Sequence, residues 1–283
     1  MKTFSKEPGN ERTKDIACTV CGSVHRKAVW PLHSFTFYRC TECGLYYQYP
    51  QPVQGDLATR YDDVYFSYEL ENEEAFFHLM LKTLKDISFS TYSSGFLKQH
   101  NPCFLDVGCA TGRLLEHMRT FGWNVFGVEV CPASAEYGNK KRKVDIFNGT
   151  FESASYPDAA FSVVHSSHLI EHLTDPSGFI REAYRVLKPG GLFITTTPNA
   201  SSLQAVINGK NWRSVIPDHM YLFSLTTLKT LIEKNGFSVF TWKTWGGIPR
   251  GEAPGVIKRG ADKLAKIFGV GDVMVMAARK PEH

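Results

Sequence analysis

Long apolar runs are missing from this chain. None approaches the ~18 residues that a membrane-crossing helix needs. The opening stretch, MKTFSKEPGNERTKD, also lacks the apolar core of a secretory signal. The expectation is therefore a cytoplasmic protein with no membrane span. A dominant charge is missing too. Lys and Arg number 32 against 28 Asp and Glu, a formal net charge of +4. That is too diffuse to mark a nucleic-acid binder, and it leaves nucleic acid only as a secondary partner class. Internal repeats and low-complexity tracts are absent. The seven cysteines are an odd number, which does not fit a fully paired disulfide framework. With 283 residues, 43% hydrophobic and 21% charged, the chain can bury one sizeable core and still carry a small extra module.

That module is written in cysteine. Cys18-x2-Cys21 and Cys40-x2-Cys43 are separated by 18 residues, inside the ~15–20 window of a four-thiolate zinc site. Each Cys-x2-Cys turn presents its thiolates from one knuckle, and paired knuckles complete a tetrahedron around Zn²⁺. Gly22 and Gly44 follow the second cysteine of each pair, where the turn needs backbone freedom. Four sulfurs close the coordination sphere, so the metal is expected to be structural. His25 and His33 lie nearby and are redundant as ligands. Residues 1–50 are read as a zinc-ribbon-like module with short strands in VHRKAVW and FTFYRC, and 51–101 as a helical connector or lid. Within the connector, Phe76, Leu79, Met80, Thr83, Leu84 and Ile87 recur at helical spacing, which predicts one amphipathic helix from Glu71 to about Lys98.

From residue 102 to 283 strands and helices alternate. CFLDV, NVFGVEV, VDIF, FSVVHS and LFITTT read as strands, and FSVFTW and DVMVMAA as two late ones. Helices are expected over 112–121, from Pro132 to about Arg142, from the Asp175-Pro176 start to LKPGG, and from Ser224 to Gly236. Such alternation predicts an α/β fold: a doubly wound, mostly parallel, seven-stranded sheet whose ligand lies beyond the carboxyl ends of the strands.

The turn after the first of these strands reads DVGCATG. It is not a P-loop, because Gly108 and Gly112 are too close and no Lys follows. It is not a dinucleotide fingerprint either, since Ala110 and Arg113 occupy positions that want glycine. Asp106 would repel a pyrophosphate but suits a ligand with a cationic end. Glu129 follows 21 residues after Gly108, at the end of the second strand, where a carboxylate accepts bonds from both hydroxyls of a ribose. An adenosine carrying a cationic amino-acid tail satisfies both conditions.

At these residues the chain resembles the class I S-adenosylmethionine-dependent methyltransferases, through LDVGCATGRLL, GVEV, HSSHLIEHLTDP, REAYRVLKPGGLFITTTPN and DHMYLFSLTTLKTLIEKNGF in that order. The resemblance implies a Rossmann-like methyltransferase sheet binding S-adenosyl-L-methionine and releasing S-adenosyl-L-homocysteine. It places Asp106, Gly108, Cys109, Thr111 and Gly112 along the methionine end, Glu129 and Val130 at the ribose and adenine, and Thr150, Phe151 and Glu152 on the adenine side. The chain departs from the family at Phe161-Ser162, where Phe-Asp is usual.

A hydroxyl nucleophile needs a base, and histidine suits the task. His165, His168 and His172 cluster after the fourth strand and His219 follows the fifth; His219 and then His168 are taken as the catalytic candidates, and His172 as a packing residue. Aromatics outside the core pattern, Tyr61, Tyr65, Phe66, Tyr68, Trp212, Tyr221, Trp242 and Trp245, are candidates for an acceptor pocket. The expected function is methyl transfer to a small-molecule acceptor: a hydroxyl of a sugar, a lipid-linked saccharide or a secondary metabolite. A zinc module before such a domain also resembles deoxysugar C-methyltransferases, which carry a further carboxy-terminal domain, and ribosomal-RNA guanine methyltransferases. The alternatives are therefore an rRNA or tRNA base methyltransferase and a non-catalytic cofactor-binding interaction protein.

Overall fold

The computed structural model describes residues 12–53, 55, 63–246 and 265–282. Tyr61, the first residues of the front module and most of the Gly- and Pro-rich connection after Trp245 lie outside them.

The front module holds β1 (Thr13–Lys14), β2 (Arg26–Pro31), β3 (Thr36–Cys40), β4 (Tyr46–Gln48) and β5 (Gln51–Pro52), with β1 and β5 paired antiparallel. Next come α1 (Asp63–Asp86) and the short α2 (Phe89–Ser93). One helix was expected from Glu71 to about Lys98. It starts earlier and stops at Ser88, which takes a left-handed φ of 57°. The serine-rich run from Ser88 to Ser94 favours side-chain bonds to the backbone over helix propagation.

The main domain continues as β6 (Cys103–Val107), α3 (Arg113–Arg119), β7 (Asn124–Glu129), α4 (Pro132–Tyr137), β8 (Asp145–Asn148), β9 (Phe161–Ser167), α5 (Pro176–Val186), β10 (Leu187–Pro198), α6 (Leu203–Asn208), β11 (Tyr221–Leu222), α7 (Leu225–Lys234), β12 (Ser238–Trp245) and β13 (Val273–Arg279). A seven-stranded sheet runs in the order β12-β13-β10-β9-β6-β7-β8. Only β13 runs antiparallel to its neighbours; the β10-β9-β6-β7-β8 pairs are parallel. The strand order reverses between β6 and β9, so the ligand crevice opens there.

The starts of α5 and α7 follow their sequence signals. Asp175 accepts the amide of Gly178, and Ser224 forms a capping box with Thr227. The end of α5 differs from expectation. Helix geometry stops at Val186, and the LKPGG segment already belongs to β10. Pro189 forces its predecessor toward extended backbone, and Gly190, at φ 75°, sits in the register shift between Leu187 and Leu192. The left-handed glycine makes a bulge rather than a helix cap.

The front module is stitched into the main domain. β11 pairs with β4, giving a four-stranded sheet β11-β4-β3-β2 that spans both. Cys18, Val20, Cys40, Leu45 and Tyr47 share one buried cluster with Phe179, Tyr221 and Leu228.

Candidate functional site

The DVGCATG turn leaves β6 with left-handed backbone at Gly108 (φ 72°), Ala110 (φ 49°) and Gly112 (φ 76°). The amides of Gly108 and Cys109 both reach the carbonyl of Val128, at 2.8 and 3.2 Å. Glu129, 5% exposed, ties the turn to the end of β7. Its Oε2 accepts the Ala110 amide at 2.9 Å and its Oε1 the Cys131 amide at 2.8 Å. Burial raises its pKa, and those amides oppose the rise. Each carboxylate oxygen keeps a second lone pair. The pair of ribose hydroxyls expected here matches that donor demand.

Gly127 and Gly138 keep the crevice tight. A Cβ on Gly138 would lie 2.3 Å from Ile146 Cδ1 and 2.9 Å from the carbonyl oxygen of Thr111. Val130 is 39% exposed beside the crevice. Phe151 is buried against Phe179, while Thr150 and Glu152 are exposed, and the Thr150 hydroxyl is engaged with Ser153. Asp106 is buried, and its Oδ1 accepts the Nδ1–H of His165 at 2.7 Å.

Helix α1 supplies residues that sequence reasoning missed. Glu73 accepts the Thr111 hydroxyl and pairs with Arg142 at 2.6 Å. Glu74 pairs with Arg113 at 3.0 Å. Glu69 accepts from Tyr65 at 2.8 Å and from Ser134 at 3.3 Å. Its pKa is pushed up to about 8, first by burial and then by the repulsion of Glu129. The acidic face of α1 thus covers the glycine turn. A run of Glu at 69, 71, 73 and 74 inside an aromatic-rich helix was the available signal.

The histidines separate into distinct environments. His165 does not follow the fourth strand, as expected; it lies inside β9, fully buried and directly across from Asp106. His168 sits just past β9 in left-handed backbone (φ 53°), and its side chain is 32% exposed. Its Nδ1 donates to Glu171 Oε1 at 3.1 Å. Glu171 is fully buried and also accepts the Thr197 hydroxyl at 2.9 Å. Burial alone would raise its pKa, but the His168 bond and the imidazoles of His168, His172 and His219 outweigh it and hold it at about 2. His172 donates Nδ1–H to the Asp218 carbonyl at 2.9 Å. His219 is 6% exposed and donates Nδ1–H to the Ser214 carbonyl at 2.8 Å. Burial and the neighbouring His172 lower the His219 pKa to about 3, so this imidazole is neutral at physiological pH. The loop carrying it is held from the front module: Gln48 Nε2 donates to the carbonyls of Pro217 and His219, each at 2.8 Å.

The expected acceptor aromatics are mostly spent elsewhere. Trp212 and Trp245 are buried, with Trp212 Nε1 donating to Asp272 at 2.6 Å, and Tyr221 packs in the shared core. Phe66 and Tyr68 face Tyr137 and Phe76, and Trp242 is 39% exposed.

In the front module the thiols of Cys18, Cys21, Cys40 and Cys43 lie within 4.8 Å of one another. Cys18 and Cys43 approach to 3.4 Å and Cys21 and Cys40 to 3.5 Å, near the ~3.8 Å edge of a tetrahedron with ~2.3 Å zinc–sulfur bonds. Gly22 and Gly44, at φ 78° and 81°, return their amides to the Cys18 and Cys40 carbonyls. Burial pushes Cys43 up to about 11. For Cys40 the amides of Cys43 and Glu42 outweigh burial and leave it at about 7. The four-sulfur donor set fits Zn²⁺. His25 stands apart from it, paired with Glu42 at 3.5 Å.

A family model described as a methyltransferase domain matches residues 74–241. A Mycolicibacterium smegmatis protein named "Probable S-adenosylmethionine-dependent methyltransferase" is 31% identical over 136 residues, covering 48% of this chain and 51% of that one. A ubiquinone biosynthesis O-methyltransferase of Cereibacter sphaeroides is 31% identical over 115 residues, covering 38% and 47%. The chain thus spans about half the length of the curated relatives it matches. A solved SAM-dependent methyltransferase from Thermotoga maritima superposes with a TM-score of 0.52 at 23% identity, over 76% of this chain and 98% of that one, a likeness of fold. The parallel sheet, the DVGCATG turn with Glu129 at the next strand end, and the family match over more than half the residues agree, and the chain belongs to the class I S-adenosylmethionine-dependent methyltransferases.

Proposed function

We propose that this protein methylates a hydroxyl group of a small-molecule acceptor, such as a sugar, a lipid-linked saccharide or a secondary metabolite. When bound, S-adenosyl-L-methionine supplies an electrophilic methyl group on a sulfonium and departs as S-adenosyl-L-homocysteine. The chain's own part is to bind, align and exclude water, which can supply most of the rate in an in-line displacement. Glu129 holds the ribose hydroxyls while its amide bonds fix the turn. Gly108, Cys109, Thr111 and Gly112 line the methionine end, with Asp106 behind them. Val130 and Phe151 flank the adenine, with Thr150 and Glu152 at its rim.

The observation carrying the hydroxyl reading is the His168–Glu171 pair at the carboxyl end of β9. It lies beside the glycine turn: a Cβ on Gly108 would meet Leu169 Cδ1 at 3.3 Å. His168 is partly exposed and oriented by a buried carboxylate, the arrangement of a side chain that takes a proton from an acceptor oxygen. His219, the first candidate from sequence, is buried and too weakly basic for that task. The relative named as an O-methyltransferase supports the same direction. The zinc held by Cys18, Cys21, Cys40 and Cys43 is structural in this reading, keeping β4 in place for the loop that carries His219.

The test is transfer of a labelled methyl group from S-adenosyl-L-methionine into separate pools of hydroxyl-bearing small molecules and of ribosomal and transfer RNA. Label in a hydroxyl acceptor, lost in His168→Ala, is the expected result. Label in RNA alone, or cofactor binding without transfer to any pool, would overturn it.

A further inference from the structure

Behind His168 the structure gathers groups that proton transfer does not use. His172 and His219 each spend Nδ1–H on a backbone carbonyl, at 2.9 and 2.8 Å. A carbonyl only accepts, so in the neutral ring the proton sits on Nδ1 and Nε2 carries the lone pair. Neither Nε2 has a hydrogen-bond partner among the described residues. The rings meet edge to face with centroids 4.7 Å apart. Glu171 lies with them, and its carboxylate is oriented by the Thr197 hydroxyl and His168. One ligand atom from each of Glu171, His172 and His219 falls within 4.8 Å of the others. Tetrahedral donors held ~2.0–2.2 Å from one cation lie ~3.3–3.6 Å apart, so binding would draw these atoms closer together.

These are the marks of a metal site rather than of packing. Histidine ligands characteristically donate their second nitrogen to a carbonyl or carboxylate, which fixes the tautomer and aims the lone pair. Here that support is built twice, from separate parts of one loop, Ser214 and Asp218. The Met220 amide anchors that loop to the Glu171 carbonyl at 2.7 Å. Neither Nε2 is sealed from solvent, so water can reach each lone pair and a cation can take the same position.

We propose that Glu171, His172 and His219 bind a divalent first-row transition-metal cation, with coordination positions left over for water or an oxygen of the acceptor. Imidazole donors select this class over Mg²⁺ and Ca²⁺, and a three-ligand set stays open where the four-cysteine site is closed. The consequence for substrate is an acceptor that offers the cation an oxygen beside the hydroxyl to be methylated, as adjacent hydroxyls do. That consequence rests on the hydroxyl-transfer reading above; binding of the cation does not.

Cobalt distinguishes the sites. The full chain, stripped with a chelator under reducing conditions, is titrated with Co²⁺ and followed by absorption and equilibrium dialysis. The wild type is expected to take up one cobalt with the intense thiolate charge-transfer band of the cysteine site. A further cobalt should show only weak ligand-field bands. His172→Ala and His219→Ala should each weaken that further cobalt at least ~10-fold and spare the sulfur band. A wild type with no cobalt outside the sulfur site overturns the proposal without reference to any variant. So does equal uptake in folded variants, checked by circular dichroism. Binding of S-adenosyl-L-homocysteine and methyl transfer are measured separately. Histidine-bound cobalt without hydroxyl methylation would sink the function proposed above and leave this site standing; methylation without such cobalt would do the reverse.

Discussion

Replacing Glu129 with alanine removes a structural tie and a ligand contact at once, and the structure lets their sizes be separated. The carboxylate accepts amides from Ala110 at 2.9 Å and from Cys131 at 2.8 Å. Hydrogen bonds to a charged group contribute ~1.5–3 kcal/mol each, and the cost of burying the Glu129 carboxylate offsets part of that, so the expected folding loss is about 2–3 kcal/mol. Affinity for S-adenosyl-L-homocysteine should fall at least ~10-fold, about 1.4 kcal/mol, because the ribose hydroxyls lose their acceptor. Glu129→Gln keeps the volume and one acceptor oxygen but turns an NH₂ group toward a backbone amide, so it should lie between alanine and wild type. Urea melts read the first quantity. Calorimetry at a temperature where every variant is folded reads the second. An alanine variant that is folded and binds the product within threefold of wild type would refute the ribose role. A glutamine variant as stable as wild type would refute the amide account.

Further outcomes follow from the same contacts. Elemental analysis should find zinc lost in Cys40→Ser; because β4 pairs with β11 and Gln48 holds the 217–219 carbonyls, hydrogen exchange should accelerate across residues 214–222 as well as in the front module. Glu69 keeps its proton to about pH 8 in the fold, so the native state holds a proton that the unfolded chain releases near ~4.3. Stability should therefore fall as pH rises between those values, and Glu69→Gln should flatten that slope in urea melts at pH 5 and pH 8. Gly138→Ala forces a methyl group toward Ile146 and the Thr111 carbonyl; it should cost ~1–3 kcal/mol in thermal melts and weaken product binding. His168→Ala should slow single-turnover transfer to a hydroxyl ~10²–10⁴-fold with product affinity unchanged; a rate within threefold of wild type would remove it as the proton acceptor.

Local chemistry made part of this protein readable from its residue order. Alternating apolar strands and capped helices demand a covered parallel sheet, because strand–helix–strand connections leave no other way to bury both faces. A glycine-containing turn between strand and helix, with acids before it and at the next strand end, is a short-range pattern that names its ligand. The spacing of Cys18, Cys21, Cys40 and Cys43 is likewise local: each pair forms its own knuckle, and the thiols converge. What stayed hidden depends on residues far apart in the chain. Nothing near Glu73 announces Thr111, or near Gln48 the carbonyl of His219, since those contacts exist only after α1 and β4 have docked. His165 and His168 are three positions apart, yet one faces Asp106 inside the sheet and the other leaves the strand end. The point where β9 stops decides between them, and tertiary pairing sets that point. The same holds for Glu171, His172 and His219. A sequence gap of 46 residues separates the histidines, and only the loop anchored at Met220 brings the second beside the first.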